Sequence, residues 1–265
     1  MTDFNHAVFK KLDRIPAAPN FARYNFNELA KMTKAYVQFA KGMPTISYKD
    51  GMVIIKDLVL GLIDIPQARE AARRRPPSPS REAVIGFVDA FCCYAFSRQY
   101  KATSAYSDFQ ASFQIGRDLW VPVRPTLVAR ENGQLKPIFV FGWKSVPLDT
   151  FQRRLLMTIL DDAIFSLTDF QNSDAEIVFL PESDGFRTPE VWHRGDYKLL
   201  SDAEMNNQIE LFLTARNDAR PIIADWLNAR TPNVQPTDVR EDARQIPLWV
   251  DMSVVRTFGT DGCVN

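Results

Sequence analysis

Apolar side chains recur at helical spacing early in the chain: Leu29, Met32, Tyr36 and Phe39 follow Asn25 and Asn27, either of which can cap the helix they predict. Gly42-Met43-Pro44 stops that helix. Residues 1–20 are polar and end in Pro16-Ala17-Ala18-Pro19, which reads as an extended arm. Thr45–Lys49 fits a short strand and Asp50-Gly51 a turn. Met52–Ile63 fits a strand or a buried helix equally well, since its periodicity serves both. Arg73-Arg74-Arg75-Pro76-Pro77-Ser78-Pro79-Ser80 breaks the pattern, because its prolines fix φ and remove backbone donors. An exposed loop or subdomain boundary is expected there. Ser80 then caps a helix to about Gln99, with Val84, Phe87, Val88, Phe91 and Ala95 on one face.

Beyond that helix the period changes to two. Phe109, Ala111, Phe113 and Ile115 alternate along Asp108–Ile115. Leu119–Arg130 and Gln134–Trp143 flank Glu131-Asn132-Gly133, and Asn-Gly between apolar runs is the strongest short signal of a hairpin. Leu148–Leu167 returns to helical spacing, with Asp149 as its N-cap and Gln152 at N3, a capping-box pattern. Ala175–Leu180 reads as a buried strand and Glu190–Leu199 as another. Ser201-Asp202-Ala203-Glu204 is a capping box that opens a helix to about Asn217, continued by Arg220–Asn228. From Thr231 on, the chain is rich in Pro, Asp and Arg. Three segments are therefore expected: an arm and helical annex over 1–75, an α/β core over 76–230 and a tail over 231–265.

Composition narrows the chemistry. A hydrophobic share of 46%, with 19 Phe, supports a packed core. Lys+Arg and Asp+Glu are both 32, so any attraction to nucleic acid must come from a local patch. Cys92, Cys93 and Cys263 show no metal spacing, and Cys92-Cys93 on an apolar helix reads as core. His6 and His193 are too few for a histidine-rich metal site. The N-terminus has no apolar signal region, and the longest apolar run, Met52–Ile65, carries Lys56, Asp57 and Asp64. A soluble, cytoplasmic protein with no membrane contact is expected.

The segment Val121–Leu167 carries the functional signal: an apolar strand holding Arg124-Pro125-Thr126-Leu127, the turn, a strand ending in Trp143-Lys144-Ser145, then the helix. With the preceding helix and the strand at Ala175–Leu180, this order resembles the PD-(D/E)XK nuclease-like superfamily over about residues 80–200. The resemblance implies a mixed sheet flanked by helices. It also implies a magnesium site built from Pro-Asp on one strand and Glu-x-Lys on the next. Here Thr126 stands at the Asp position and Gly142 at the Glu position, while Lys144 matches. A hard dication needs anionic oxygens to fix it and to acidify its water, and a hydroxyl and a hydrogen supply none.

Each remaining candidate has two readings. Lys144 is either the family lysine that stabilises phosphate charge or a strand-end lysine in solvent. Glu82 is a relocated metal ligand or an acid favoured by its helix dipole. Gln152 resembles a helix glutamine of one branch of the superfamily, or is simply the cap partner. Arg153 and Arg154 could join Lys144 and Arg124 in a phosphate-binding patch, or be solvated helix charges. Arg73–Arg75 suit a docking tail, a phosphate contact, a phosphorylatable loop or a plain linker. The leading expectation is a catalytically degenerate, nuclease-like protein that binds nucleic acid or a protein partner and needs no cofactor. The alternatives are an active nuclease with relocated acids, using Mg2+, Lys144, Glu82 and Gln152, or a purely protein-interaction or effector protein. Partner identity and oligomeric state are open.

Overall fold

A computed structural model of the chain describes residues 2–42, 47–78, 80–103, 106 and 108–230. Six helices come first: α1 (Thr2–Asp13), α2 (Ala18–Tyr24), α3 (Leu29–Lys41), α4 (Lys49–Val59), α5 (Ile65–Arg73) and α6 (Arg81–Phe96). Strands β1 (Lys101–Ala102), β2 (Ala111–Gly116), β3 (Leu119–Val123), β4 (Leu127–Glu131) and β5 (Gln134–Phe141) follow, then α7 (Thr150–Leu160) running into a π-helical turn, Asp161–Phe165. Strands β6 (Glu176–Phe179), β7 (Glu182–Ser183), β8 (Phe186–Arg187) and β9 (Glu190–His193) lead to α8 (Asp202–Arg230). The tail expected over 231–265, and residues 45–46 of the expected Thr45–Lys49 strand, lie outside the described residues; Lys49 itself opens α4.

The fold is mixed α/β. A five-stranded sheet has the order β1-β4-β5-β6-β9, and β2 and β3 form a separate antiparallel pair. The expected hairpin is β4–β5, antiparallel with Glu131 opposite Gln134. Its turn places Asn132 at φ 50 and Gly133 at φ 83, as a type I′ turn requires. Because α7 crosses over between them, β5 and β6 run parallel, with Phe139 opposite Ile177. The pleat then divides the core. Phe139, Ile177 and Phe179 join α1–α3, α7 and α8 on one face, whereas Ile138, Val140 and Val178 join α4–α6 on the other. With both faces covered, the central strands are apolar over residues 137–141 and 177–179, which is why Ala175–Leu180 reads as a buried strand despite Glu176.

Several expectations are corrected. The N-terminal arm is helical: Val8 and Leu12, one turn apart, bury against the core, and Pro19 sits in the first turn of α2, where its missing N–H costs nothing. Asp50-Gly51 belongs to α4 and not to a turn. A Cβ on Gly51 would stand 2.9 Å from the Phe87 ring, so glycine lets α4 and α6 approach. Met52–Ile63 is accordingly helix up to Val59. Helix α5 was hidden in the sequence behind Asp64-Ile65-Pro66-Gln67, which forms a full capping box. The loop expected after it is exposed at Arg74 and over residues 76–78, while Arg75 is half-buried and pairs with Asp50, Arg73 at the end of α5 pairs with Asp89, and Arg81 donates to the Arg73 carbonyl. The expected strand Leu119–Arg130 breaks at Arg124-Pro125, where the chain leaves the β2–β3 pair for the main sheet. The helix expected to Leu167 ends in the π turn, and the strand expected to Leu199 stops at His193. Helix α8 runs through Pro221 to Arg230.

Candidate functional site

Thr126 and Gly142, at the acid positions of the resemblance, are both occupied with folding. The Thr126 N–H donates to the Ile138 carbonyl at 2.8 Å, and its hydroxyl accepts the Val140 N–H at 2.9 Å, extending the β4–β5 ladder by a side chain. Gly142 is buried, and a Cβ there would lie 2.8 Å from ring carbons of both Phe87 and Tyr48. Its carbonyl accepts from Arg187 Nη1 at 3.1 Å. No carboxylate fits at position 142 unless these rings move.

Lys144 is exposed just past the end of β5, in the wall of a cleft of about 630 Å³. Lys11 from α1 and Arg23 from α2 line the same cleft, with Asn20, Gln38 and Ser145 as further polar groups. Among the described residues lining it, none is Asp or Glu. Aromatic rings support two of these cations, Lys11 and Arg23. The Lys11 ammonium stands 4.7 Å from the Phe39 centroid and also donates to the Gly42 carbonyl. The Arg23 guanidinium lies 5.4 Å from Trp143 and 5.7 Å from Tyr24. Trp143 is itself backed by Phe141, stacked at 5.3 Å. Burial lowers the Lys11 pKa, so this ammonium is partly stripped of water and gains from an anionic partner.

The patch expected from Arg124, Lys144, Arg153 and Arg154 is not assembled. Arg124 lines a different cleft, beside Lys56 and Asp108. Arg153 donates to the Leu148 carbonyl and the Tyr197 hydroxyl, both at 2.9 Å, and lies over Trp192. Arg154 is held by the Lys198 and Leu199 carbonyls and by Glu204. Both arginines fasten the 197–204 segment to α7. Glu82 is exposed in the first turn of α6 and does not line the Lys144 cleft.

Gln152 is the cap partner that its spacing suggested, and more. It completes the Asp149 capping box, and its Nε2 donates to the Arg23 and Asn25 carbonyls, each at 2.9 Å. The start of α7 thereby positions the end of α2, and with it Arg23. Lys11 was missed because residues 1–20 read as an extended arm, and Arg23 because it falls between that arm and the helix expected after Asn25; the Arg23-Tyr24 pair beside a cap was the available signal.

At the other end of β5 a second polar cluster is buried. Glu176, fully buried at the start of β6, and Glu131, at the end of β4, are both reached by Lys136 of β5, at 2.9 and 2.8 Å. Arg98 also pairs with both, and the Tyr94 and Tyr100 hydroxyls donate to Glu176. Two buried carboxylates therefore face two cations, with the exposed Asp174 also 3.9 Å from Lys136 at the margin. Burial first, and then Glu176, push the Tyr100 hydroxyl pKa up, so it stays a donor. Burial would raise the Glu131 carboxyl, but Lys136, the Gln99 N–H and Arg98 outweigh it and hold the pKa low.

Among the described residues no group of His, Cys, Asp and Glu is arranged to hold a metal ion, and no helix is long and apolar enough to cross a membrane. No family model, curated protein or solved structure matches the chain.

Proposed function

We propose that the protein is a non-cleaving, nuclease-like protein that binds nucleic acid through the Lys11–Arg23–Lys144 cleft. The observation that carries this reading is the charge of the cleft: three cations, two of them on aromatic supports, and no acid among the described lining residues, in a chain whose net charge is zero. Sequence-independent affinity for nucleic acid comes mainly from phosphate neutralisation by such groups. The order α6, β3–β5, α7, β6, with β5 parallel to β6, supports the PD-(D/E)XK resemblance. The loss of cleavage rests on chemistry: neither Thr126 nor Gly142 offers an anionic oxygen, and the space at Gly142 is filled by rings.

Binding of a labelled oligonucleotide, followed by fluorescence anisotropy across a salt series, tests this. Affinity should fall steeply with salt, and Lys11→Gln, Arg23→Gln and Lys144→Gln should each lower the log–log slope by about one unit for a lost phosphate contact. Salt-insensitive binding, or none, would leave the protein-interaction reading in possession. Magnesium-dependent cleavage abolished by both Lys144→Ala and Glu82→Ala would establish the relocated-acid nuclease instead.

A further inference from the structure

A short hairpin borders the cleft and holds an aromatic ring out into water. Strands β7 and β8 pair Glu182 with Arg187 and Ser183 with Phe186, around a turn in which Asp184 and Gly185 take φ 51 and φ 80. Its base is fixed from both sides. The Glu182 N–H donates to the Lys144 carbonyl at 3.0 Å. Arg187, with only 3% of its side chain exposed, donates to the Gly142 and Leu180 carbonyls, the Tyr48 hydroxyl and Glu182. Lys144, Gly142 and Tyr48 all line the cleft, so the base of the hairpin is fastened to the cleft wall, while residues 182–187 themselves lie outside its lining. Phe186, next to this anchor but on the other side of the two-stranded ladder, is 78% exposed. A loose tip could fold such a ring back onto apolar neighbours; this one is braced by its own ladder and by four bonds from the Nη1 and Nη2 groups of Arg187.

We infer that the cleft takes unpaired nucleic acid, with phosphates on Lys11, Arg23 and Lys144 and a base stacked on Phe186. This rests on the nucleic-acid reading above and adds the class of strand. A duplex hides the faces of its bases and offers the protein mainly phosphates and groove edges, whereas a single strand can lay a base against an exposed ring. The size agrees: a cleft of about 630 Å³ lies within the roughly 300–1,000 Å³ of small-molecule pockets, enough for a short piece of one strand and not for the width of a double helix. Asn20, Gln38 and Ser145 add neutral hydrogen-bonding groups suited to base edges as well as phosphate oxygens.

The test compares one labelled single strand, the same sequence as a blunt duplex, inorganic polyphosphate as a polyanion without bases, and a polyglutamate peptide. The single strand should bind most tightly. Phe186→Ala should weaken it about tenfold and leave the duplex and polyphosphate affinities unchanged, while Phe186→Trp should restore it. Because the ring is exposed, the melting temperature of each variant should match that of the parent protein. Equal affinity for strand and duplex, with Phe186→Ala silent but Lys144→Gln still effective, would overturn the single-strand inference alone. Polyglutamate binding as tightly as the strand would overturn it in favour of an acidic protein partner. If no polyanion binds, the inference falls together with the cleft.

Discussion

At Gly142 the hydrogen that replaces a side chain is enclosed by the rings of Tyr48 and Phe87, and this decides what the position can become. Restoring the acids of the resemblance should not restore a nuclease. A glutamate at 142 must displace two rings that a Cβ already meets at 2.8 Å, an overpacking that costs roughly 1–3 kcal/mol or more. Thr126→Asp adds a charge where a neutral hydroxyl now accepts the Val140 N–H. The double variant Thr126→Asp/Gly142→Glu is expected to unfold at lower urea and to show no cleavage with magnesium; a stable, magnesium-dependent nuclease would refute this. A second residue-scale expectation concerns the buried ion pairs. Lys136→Met leaves Glu131 and Glu176 facing Arg98 alone, and breaking one partner of such a set costs about 3–5 kcal/mol. The acid limb follows from Glu131, whose folded pKa lies below its ordinary value of 4.5. Its contribution is complete above the unfolded pKa and lost as pH falls through the lower, folded one. Denaturation midpoints measured below pH 4.5 should therefore fall less steeply in Glu131→Gln than in the parent. Part of this was legible beforehand: Asp149 and Gln152 declare the cap by spacing alone. A glutamate inside the apolar run Ala175–Leu180 signals a buried partner, yet Arg98, Glu131 and Lys136 lie far from Glu176 in sequence, and only the sheet register brings them to it.

Among the elements, α7 supports the cleft from outside its lining, through Gln152. Gln152→Ala removes half of the capping box and leaves the Arg23 and Asn25 carbonyls without their donor. Loss of a helix-cap contact is typically about 1 kcal/mol, and each carbonyl left buried without a donor adds about 1–3 kcal/mol. Urea unfolding should register that loss. Oligonucleotide affinity should drop as well, because the end of α2 no longer presents Arg23 in one place; unchanged affinity at reduced stability would separate the cap from the cleft. The hairpin β4–β5 was readable because Asn132-Gly133 specifies its turn locally. The first two helices were not: residues 1–20 are polar and, ending in Pro16 and Pro19, read as an extended arm, whereas Pro19 sits in the first turn of α2.

For the molecule as a whole, residues 1–230 form one compact unit, and its N-terminal helices are part of the core. Phe21 of α2 meets Phe212 of α8 with ring centroids 4.7 Å apart, and Gln208 donates to Asn25 at 3.0 Å. Removing residues 1–24 strips Val8, Leu12, Ile15 and Phe21 from that layer, so the shortened chain is expected to lose cooperative melting by circular dichroism. A truncated protein that melts sharply near the parent temperature would show the annex to be dispensable. The two-faced sheet was foreseeable from the unbroken apolar runs at residues 137–141 and 177–180, whereas the pairing of α2 with α8 has no local signal.

The sheet also governs how copies of the chain can meet. Its outer strands are brief: β1 has two residues and β9 four. A growing fibril or a strand-exchanged dimer needs a long row of unpaired N–H and C=O groups as its template. Strands this short present few such rungs, and β9 is followed at once by the turn that ends with Asp196 accepting the His193 N–H. The protein thus covers the β-branched interior of its sheet with helices while leaving little at either margin for a neighbouring backbone to extend.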